Sequence, residues 1–534
     1  MSATDRIYRE LAAAGRSAMA GGWRWCALLL AAALLTRLPA FFTSFYSGDE
    51  ATYSALAVRL LDGALPYLGA VDHKPVGIAI LYAGIYSLFG ANHLWAVRAA
   101  LVLAVALTGA VVGLIAERLH GDRSARVAGL LYVLASAWGV PGDVQAANTE
   151  LFLNLPLALA GLLVADARAR GPRRERLFYL AAGLLTAVAA AFKYQAGLAG
   201  IAWAVAAAFE AGTLRARASR LALLAAGFAA AAAGYLATFA AKGIWSDFLF
   251  WGWGFNFRYI TTLPAREMAL NGLKYSALVA LFWLPILLLV GRRSVCGAAG
   301  RVAAPWLGAT LAAASVGGRF FPHYFLMALP PLSLLAAAPA REQVARWRPR
   351  ASAAIGAAFA VLALVAAAQW YALKPRLTQY DRAYRELGAY IAATTAATDR
   401  VFVWGNSPEI YFYSDREMGT RFPFCNYQTG KIWGSPLDDV NATGTEAHIV
   451  PEAWDELLAD LRSDPPSVIV DAGAGRLDRF DRHPIGRYPA LASFVGRNYA
   501  LDRLVGGVPV YRLADESVLR RHIRHAIGMQ HAAR

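Results

Sequence analysis

Residues 93–117 read HLWAVRAALVLAVALTGAVVGLIAE. A helix needs about 20 residues to cross the hydrocarbon of a bilayer, and this apolar run is long enough to do so. Within lipid every backbone group must be satisfied inside the segment, and Ala and Leu favour the helix that does this. Working outward, comparable runs lie near 23–41, 126–141, 150–166, 177–192, 195–210, 221–241, 270–291, 302–317, 324–339 and 351–371. The expectation is a polytopic α-helical membrane protein with about eleven transmembrane helices. The runs around 126–141 and 177–192 are shorter than the norm for a span.

Composition agrees with that reading. The chain has 534 residues, of which 58% are hydrophobic and 16% charged, too apolar for a soluble enzyme with a single core. The formal charge of +16 does not mark a nucleic-acid binder, because the arginines cluster between apolar runs and form no free basic arm. Cys26, Cys296 and Cys425 imply neither a disulfide framework nor a cysteine metal site. The stretch Trp25–Leu35 lacks a small-x-small exit and is followed by further spans, so it reads as an uncleaved first span rather than a signal peptide.

The arginines set an orientation. Clusters fall at Arg6 to Arg24, Arg118 to Arg126, Arg168 to Arg176, Arg215 to Arg220, Arg292 to Arg301 and Arg341 to Arg350, in every second loop. Such loops stay in the cytoplasm. The opposite loops, 42–92, 142–149, 242–269 and 318–323, gather acids, aromatics and glycines and face outward. An odd span count from a cytoplasmic N-terminus places the tail on that outer side. Residues 1–371 are therefore expected to form the transmembrane domain and residues 372–534 an extracytoplasmic (periplasmic) α/β domain. In the tail, strand-like runs Val401–Trp404 and Val468–Val470 alternate with helix-like pieces such as Pro451–Leu461. The turn Gly405-Asn406-Ser407-Pro408 opens a helix whose N-terminus could hold an anion. The bacterial inner (cell) membrane is expected from the Arg- and Ala-rich composition and the lack of eukaryotic targeting signals.

The outer loops carry the candidate chemistry. Asp49 and Glu50 directly follow the first span, and ionisable groups at such a position are costly and usually functional. A carboxylate there could act as general base or ligate a cation; equally, Asp49 could cap the amphipathic helix Ala51–Leu61. Asp143, Gln145, Asn148 and Glu150 form a second cluster, in which Glu150 reads as a ligand-binding acid or as a helix-start acid. Lys193 reads as a phosphate contact or as a snorkelling side chain. In Gly317-Gly-Arg-Phe-Phe-Pro-His-Tyr324, Arg319 and His323 lie on a Gly-rich turn and can together bind a phosphate, while the rings around them suit an interface belt. The aromatic segment 242–262 reads chiefly as headgroup anchoring.

The order of an Asp49-Glu50 pair, Gly63-x-x-Pro-Tyr67, His73-Lys74-Pro75 and Leu88-Phe-Gly90 after a first span resembles the GT-C membrane glycosyltransferases. The resemblance covers roughly residues 25–340. It is nearest to the protein O-mannosyltransferases that use dolichyl- or polyprenyl-phosphate-mannose and to the aminoarabinose or galacturonic acid transferases of lipid A. It implies a polyprenyl-phosphate-sugar-dependent glycosyltransferase, hexosyl or pentosyl, acting on an envelope acceptor on the outer face by inverting displacement. Asp49 then matches the family's catalytic aspartate and Glu50 its neighbour. Lys74, with Arg319, His323 and Lys193, would lie at the donor phosphate, and Glu150 and Asp143 at the acceptor or a metal. A divalent cation (Mg, Mn, Ca or Zn) held by Asp49 and Glu150 is compatible with the resemblance but not required by it. This chain has Lys74-Pro75-Val76 where the family has Lys-Pro-Pro, and Thr52 where the lipid A branch has Arg. A second phosphate contact must then come from elsewhere, or that branch is the wrong relative. The alternative is a secondary transporter or flippase of lipid-linked sugars, which would show internal repeats and mid-span charges. Partners are the lipid-linked donor, membrane lipid and the acceptor, with no nucleic acid.

Overall fold

The computed structural model describes residues 22–120, 126–167, 171–297, 299–346 and 380–514. The span expected at 351–371 lies outside the described residues. In chain order the first part contains α1 (Gly22–Phe42), α2 (Gly48–Leu61), α3 (Gly77–Phe89), α4 (Leu94–His120), α5 (Val127–Ala135), α6 (Pro141–Val144), α7 (Thr149–Asp166) and α8 (Pro172–Phe192). It continues with α9 (Tyr194–Phe209), α10 (Leu214–Ala241), α11 (Ala265–Leu287), α12 (Gly300–Ser315) and α13 (Leu329–Arg346).

Among the described residues, six of these helices are long and apolar enough to cross a membrane: α1, α4, α7, α8, α10 and α11. The expected span at 126–141 is corrected: α5 stops at Ala135 and a separate turn begins at Pro141. Proline disfavours helical backbone in the residue before it, and Val140 is accordingly extended. Helices in lipid gain little from the hydrophobic effect and pack through small residues. A Cβ added at Gly183 on α8 would stand 2.1 Å from the Leu224 carbonyl oxygen of α10, and one at Gly227 on α10 would stand 1.9 Å from that of Leu180. Only glycine permits this crossing.

The C-terminal region holds α14 (Asp381–Thr394), β1 (Arg400–Trp404), α15 (Glu409–Ser414), β2 (Glu417–Met418), α16 (Pro451–Ser463), β3 (Val468–Asp471), α17 (Pro489–Asn498), β4 (Tyr499–Val505) and β5 (Val508–Leu513). The sheet order is β2-β1-β3-β5-β4. β1 pairs in parallel with β2 and β3, with Val401 opposite Val468; β5 is antiparallel to both β3 and β4. The β4–β5 hairpin turns on Gly506 and Gly507, both at positive φ, as a two-residue primed turn requires.

Strand side chains alternate between faces, and the two faces have different neighbours. Val401, Val403, Val468 and Val470 pack with Leu387 and Ile391 of α14. Phe402, Trp404 and Ile469 belong to a second cluster that also takes in Tyr67, Val71, Phe248, Trp251 and Phe255 of the helical part, with Phe422, Tyr427 and Leu457 between them. One apolar core therefore joins the sheet to the loop that follows α2. Trp251, expected as a headgroup anchor, is buried in this core against Phe422 and Tyr427, whereas Trp245 and Trp253 are exposed.

His483 is buried in the same region, with Nδ1 2.6 Å from the Tyr488 hydroxyl. Burial, then the charges of Lys431 and Arg487, push its imidazole down to about 4. A folded-state pKa below the unfolded one means that stability is present above the unfolded pKa and is lost as pH falls. His483 by itself is expected to take about 1–2 kcal/mol from the stability between pH 7 and 5, read as the difference between the wild type and His483→Gln, because carboxyls raised by burial elsewhere in the chain titrate in the same window with the opposite sign. Thermal melts at the two pH values check this; a His483→Gln variant with an undiminished pH dependence would assign the loss to another group.

Candidate active site

Helix α2 starts at Ser47, its N-cap, and not at Asp49. Asp49 sits in the first turn, and one turn on, at i+4, Tyr53 shares its face. The Lys74 Nζ donates to Asp49 Oδ1 at 2.6 Å and lies 3.4 Å from the Tyr53 hydroxyl and 5.0 Å from its ring centre. The Lys74 and Asp49 side chains keep 31% and 36% of their surface exposed. Burial pushes the Asp49 carboxyl up, but the Lys74 charge and hydrogen bond outweigh it and leave the group below the ordinary carboxylate range. Burial alone would lower the Lys74 ammonium; Asp49, Tyr53 and Asp72 around it raise it instead. The pair is charged at neutral pH.

The backbone carrying Lys74 is held from four directions. Its carbonyl accepts from the Tyr67 hydroxyl at 3.0 Å, and the His73 carbonyl accepts from Asn256 Nδ2 at 2.8 Å. The His73 ring lies stacked 5.9 Å from Trp433 and tilted 5.1 Å from Tyr259, with Nδ1 3.2 Å from the Tyr427 hydroxyl. The Val71 amide donates to the Arg421 carbonyl at 2.9 Å. Tyr427, Trp433 and Arg421 come from the C-terminal region, so that region fixes the loop that presents the lysine.

A second pair lies beside the first. Lys193 Nζ is 2.5 Å from Glu150 Oε1 and 3.1 Å from the centre of the Tyr324 ring. Lys193 is thus an ion-pair partner rather than a snorkelling side chain. The two pairs connect through Thr149, whose hydroxyl is 3.4 Å from that of Tyr53. On the far side, His323 Nδ1 is 2.6 Å from Asp143 Oδ1. Glu150 does not complete a cap with Asn148, which makes no side-chain cap bond and donates instead to the Asp143 carbonyl.

Residues 73–245 match the dolichyl-phosphate-mannose-protein mannosyltransferase sequence family. No curated protein matches the chain by sequence. The crystal structure of ArnT from Cupriavidus metallidurans bound to undecaprenyl phosphate is similar at a TM-score of 0.61 and 15% identity, over 93% of this chain and 98% of that one. Its apo form is similar at 0.59 and 16%, over 92% and 98%. The apo oligosaccharyltransferase of Archaeoglobus fulgidus is similar at 0.50 and 12%, over 92% and 74%. This chain has the GT-C fold.

On this GT-C fold, four of the expected side chains stand otherwise than the sequence suggests. Glu50, expected beside Asp49 in catalysis, is 0% exposed. Its carboxylate accepts from the Tyr46 and Ala147 amides and faces Arg98 at 3.3 Å. The physical reason is that adjacent helix residues point about 100° apart, so Glu50 turns into the bundle where Asp49 turns out. Arg319, expected at the donor phosphate, is 1% exposed; its guanidinium donates to the Tyr259 and Gly434 carbonyls and stacks 4.0 Å over the Tyr259 ring. It ties the 318–323 turn to the C-terminal region. Asp49 and Glu150, expected to share a divalent cation, each carry a lysine, and among the described residues no group of three His, Cys, Asp or Glu forms a cation site. As arranged they do not fit a resident metal. The Gly405–Pro408 turn opens only the six-residue α15, whose first residue is the buried acid Glu409, so the place expected for an anion is taken by a carboxyl of the chain itself.

Tyr53, Arg98, Asn256 and Tyr427 were missed in the sequence. Arg98 had a usable signal, since a lone arginine inside an otherwise apolar helix needs a buried partner. Tyr53 had one too, at i+4 from Asp49. Asn256 and Tyr427 had none.

Proposed function

We propose that the chain is a membrane glycosyltransferase that moves a sugar from a polyprenyl-phosphate donor to an envelope acceptor, a glycolipid, polysaccharide or protein, by inverting displacement on the extracytoplasmic side. In this reading residues 1–371 form the membrane catalytic part and residues 372–534 a periplasmic domain of a bacterial inner-membrane protein. The observation that carries it is the partly open Asp49–Lys74 pair, about one-third exposed. It puts a cation suited to a phosphodiester next to a carboxylate suited to a hydroxyl. The undecaprenyl phosphate bound by the similar ArnT structure supports the donor class.

The pair also suggests how the base is armed. While Lys74 is bonded to Asp49, the carboxylate is a weak base. A donor phosphate takes the ammonium for itself as a charge-assisted contact, and Asp49, losing its counter-charge, becomes more basic when the acceptor must be deprotonated. The acceptor oxygen bonds to the anomeric carbon, its proton passes to Asp49, and the bond from that carbon to the phosphate oxygen breaks. Lys74, with Lys193 beside it, stabilises the prenyl phosphate that leaves.

Purified protein in lipid, offered a panel of radiolabelled polyprenyl-phosphate sugars with and without EDTA, is expected to transfer sugar in both conditions. Consumption of no donor although prenyl phosphate binds would refute the transferase. Lys74→Met is expected to weaken undecaprenyl phosphate binding at least tenfold, by loss of one charge-assisted contact. Titration of the lipid into both proteins measures it, and equal affinities would take Lys74 away from the phosphate.

A further inference from the structure

A cavity of about 220 Å³ lies behind the N-terminus of α2, walled by residues 44–48 on one side and by Tyr380, Asp381, Tyr384, Glu409, Asp478 and Arg479 on the other. It is separate from the Asp49–Lys74 pair: Gly48 lines it, and a Cβ added there would stand 4.0 Å from Glu409 Oε1. Glu409 is only 9% exposed, and its Oε2 has no hydrogen-bond partner among the described residues. A buried carboxylate oxygen left without a donor is costly, which makes it the feature of the cavity that asks for a ligand.

The charges around it are unbalanced. Asp381 is bonded to Arg385 and to the Tyr413 hydroxyl, and Arg479 is 3.3 Å from Asp438. Glu409 and Asp478 have no ion pair among the described residues; Asp478 accepts only from the neutral Asn406 amide there. Burial, and then the neighbouring Asp478, push the Glu409 carboxyl up to about 8, and burial with Asp438 pushes Asp478 up to about 6. Arg479 and Lys431 pull Asp478 back down, but the first is paired with Asp438 and the second is bonded to the Asp438 and Asp439 carbonyls, so neither offsets the burial. The lining also includes Ser44, Ser47 and the rings of Phe45, Tyr46, Tyr380 and Tyr384; ring faces attract cations, and the Tyr46 ring already has Arg98 5.5 Å from its centre.

We propose that this cavity is a binding site for an organic ammonium group, taken by the Glu409 and Asp478 carboxyls and covered by the surrounding aromatic rings. A hard metal ion is a poorer match, because it requires six or more oxygen ligands and among the described residues no group of three His, Cys, Asp or Glu is placed to hold one. The site would read an amine-bearing small molecule, or the amine of a larger one, next to the helix that carries Asp49.

The test uses the full-length protein in lipid nanodiscs with ethanolamine as probe and ethylene glycol as its neutral counterpart, followed by saturation-transfer NMR. Ethanolamine is expected to bind on the order of 1 mM, as its four heavy atoms allow, and ethylene glycol at least tenfold more weakly. Glu409→Gln and Asp478→Asn, both close in shape to the native residues, are each expected to weaken ethanolamine at least tenfold. Asp49→Asn is expected to bind it unchanged, so the result is independent of whether the transferase reading stands. Equal binding of the two probes would overturn the proposal, as would unchanged binding in both carboxyl variants. Displacement of ethanolamine by millimolar Ca²⁺ or Mg²⁺, with the metal held by Glu409, would overturn it in favour of a metal site.

Discussion

Asp49→Asn is expected to slow sugar transfer about 10² to 10⁴-fold, as loss of a general base does, while leaving the protein folded and able to bind donor. Asparagine keeps the shape and one acceptor oxygen, and the position is about one-third open, so nothing in the packing opposes the change. Lys74 loses its carboxylate partner but keeps Tyr53 and Asp72 nearby, and undecaprenyl phosphate should bind at least as well as in the wild type, since no carboxylate competes for the ammonium. The measurement is single-turnover transfer beside a binding titration. Lost turnover with retained binding is the expected pair of results; a variant that transfers sugar at the wild-type rate would remove Asp49 from the chemistry, and one that loses both would make it a binding residue.

What the sequence could and could not convey follows from where each constraint lives. The helices were legible because lipid leaves the backbone few options, and α1, α4, α7, α8 and α10 fall where apolar runs sit. Asp49 and Lys74 could each be named from the sequence, as members of one loop between the first spans and by the family resemblance, but that they bond to each other could not. The same loop hid the difference between Asp49 and Glu50: two identical charges, adjacent in sequence, are separated only by helix rotation and by Arg98, which lies 48 residues away. Arg319 misled for a related reason. Its residue type suits phosphate, but the carbonyls that occupy it belong to Tyr259 and Gly434, and backbone acceptors leave no trace in a sequence. Strands β1 and β3 were visible as hydrophobic runs, yet nothing in them said that Phe402 and Trp404 would share a core with Trp251 and Tyr67. That junction is what fixes the loop bearing Lys74, and it is a long-range packing result.

Glu50→Ala is expected to fail by a different route from its neighbour, through stability rather than chemistry. Glu50 receives the Tyr46 amide at 2.8 Å and the Ala147 amide at 2.9 Å, and it balances Arg98, which is itself bonded to the carbonyls of Ala40, Thr43 and Ser44. The carboxylate thereby joins the end of α1, the start of α2, α4 and the loop before α7. Removing it strands a buried guanidinium and two buried amides, and breaking a buried pair from one side costs about 3–5 kcal/mol. Glu50→Gln keeps an acceptor oxygen for one or both amides and removes only the charge, so its cost should be nearer 1–3 kcal/mol. Thermal unfolding in detergent, read beside transfer activity at low temperature, separates the cases. The expected order of stability is wild type, Glu50→Gln, Glu50→Ala, with residual transfer in Glu50→Gln wherever it is folded. If Glu50→Gln melts like the wild type yet transfers nothing, Glu50 is part of the chemistry after all, and the two acids act together despite facing opposite ways.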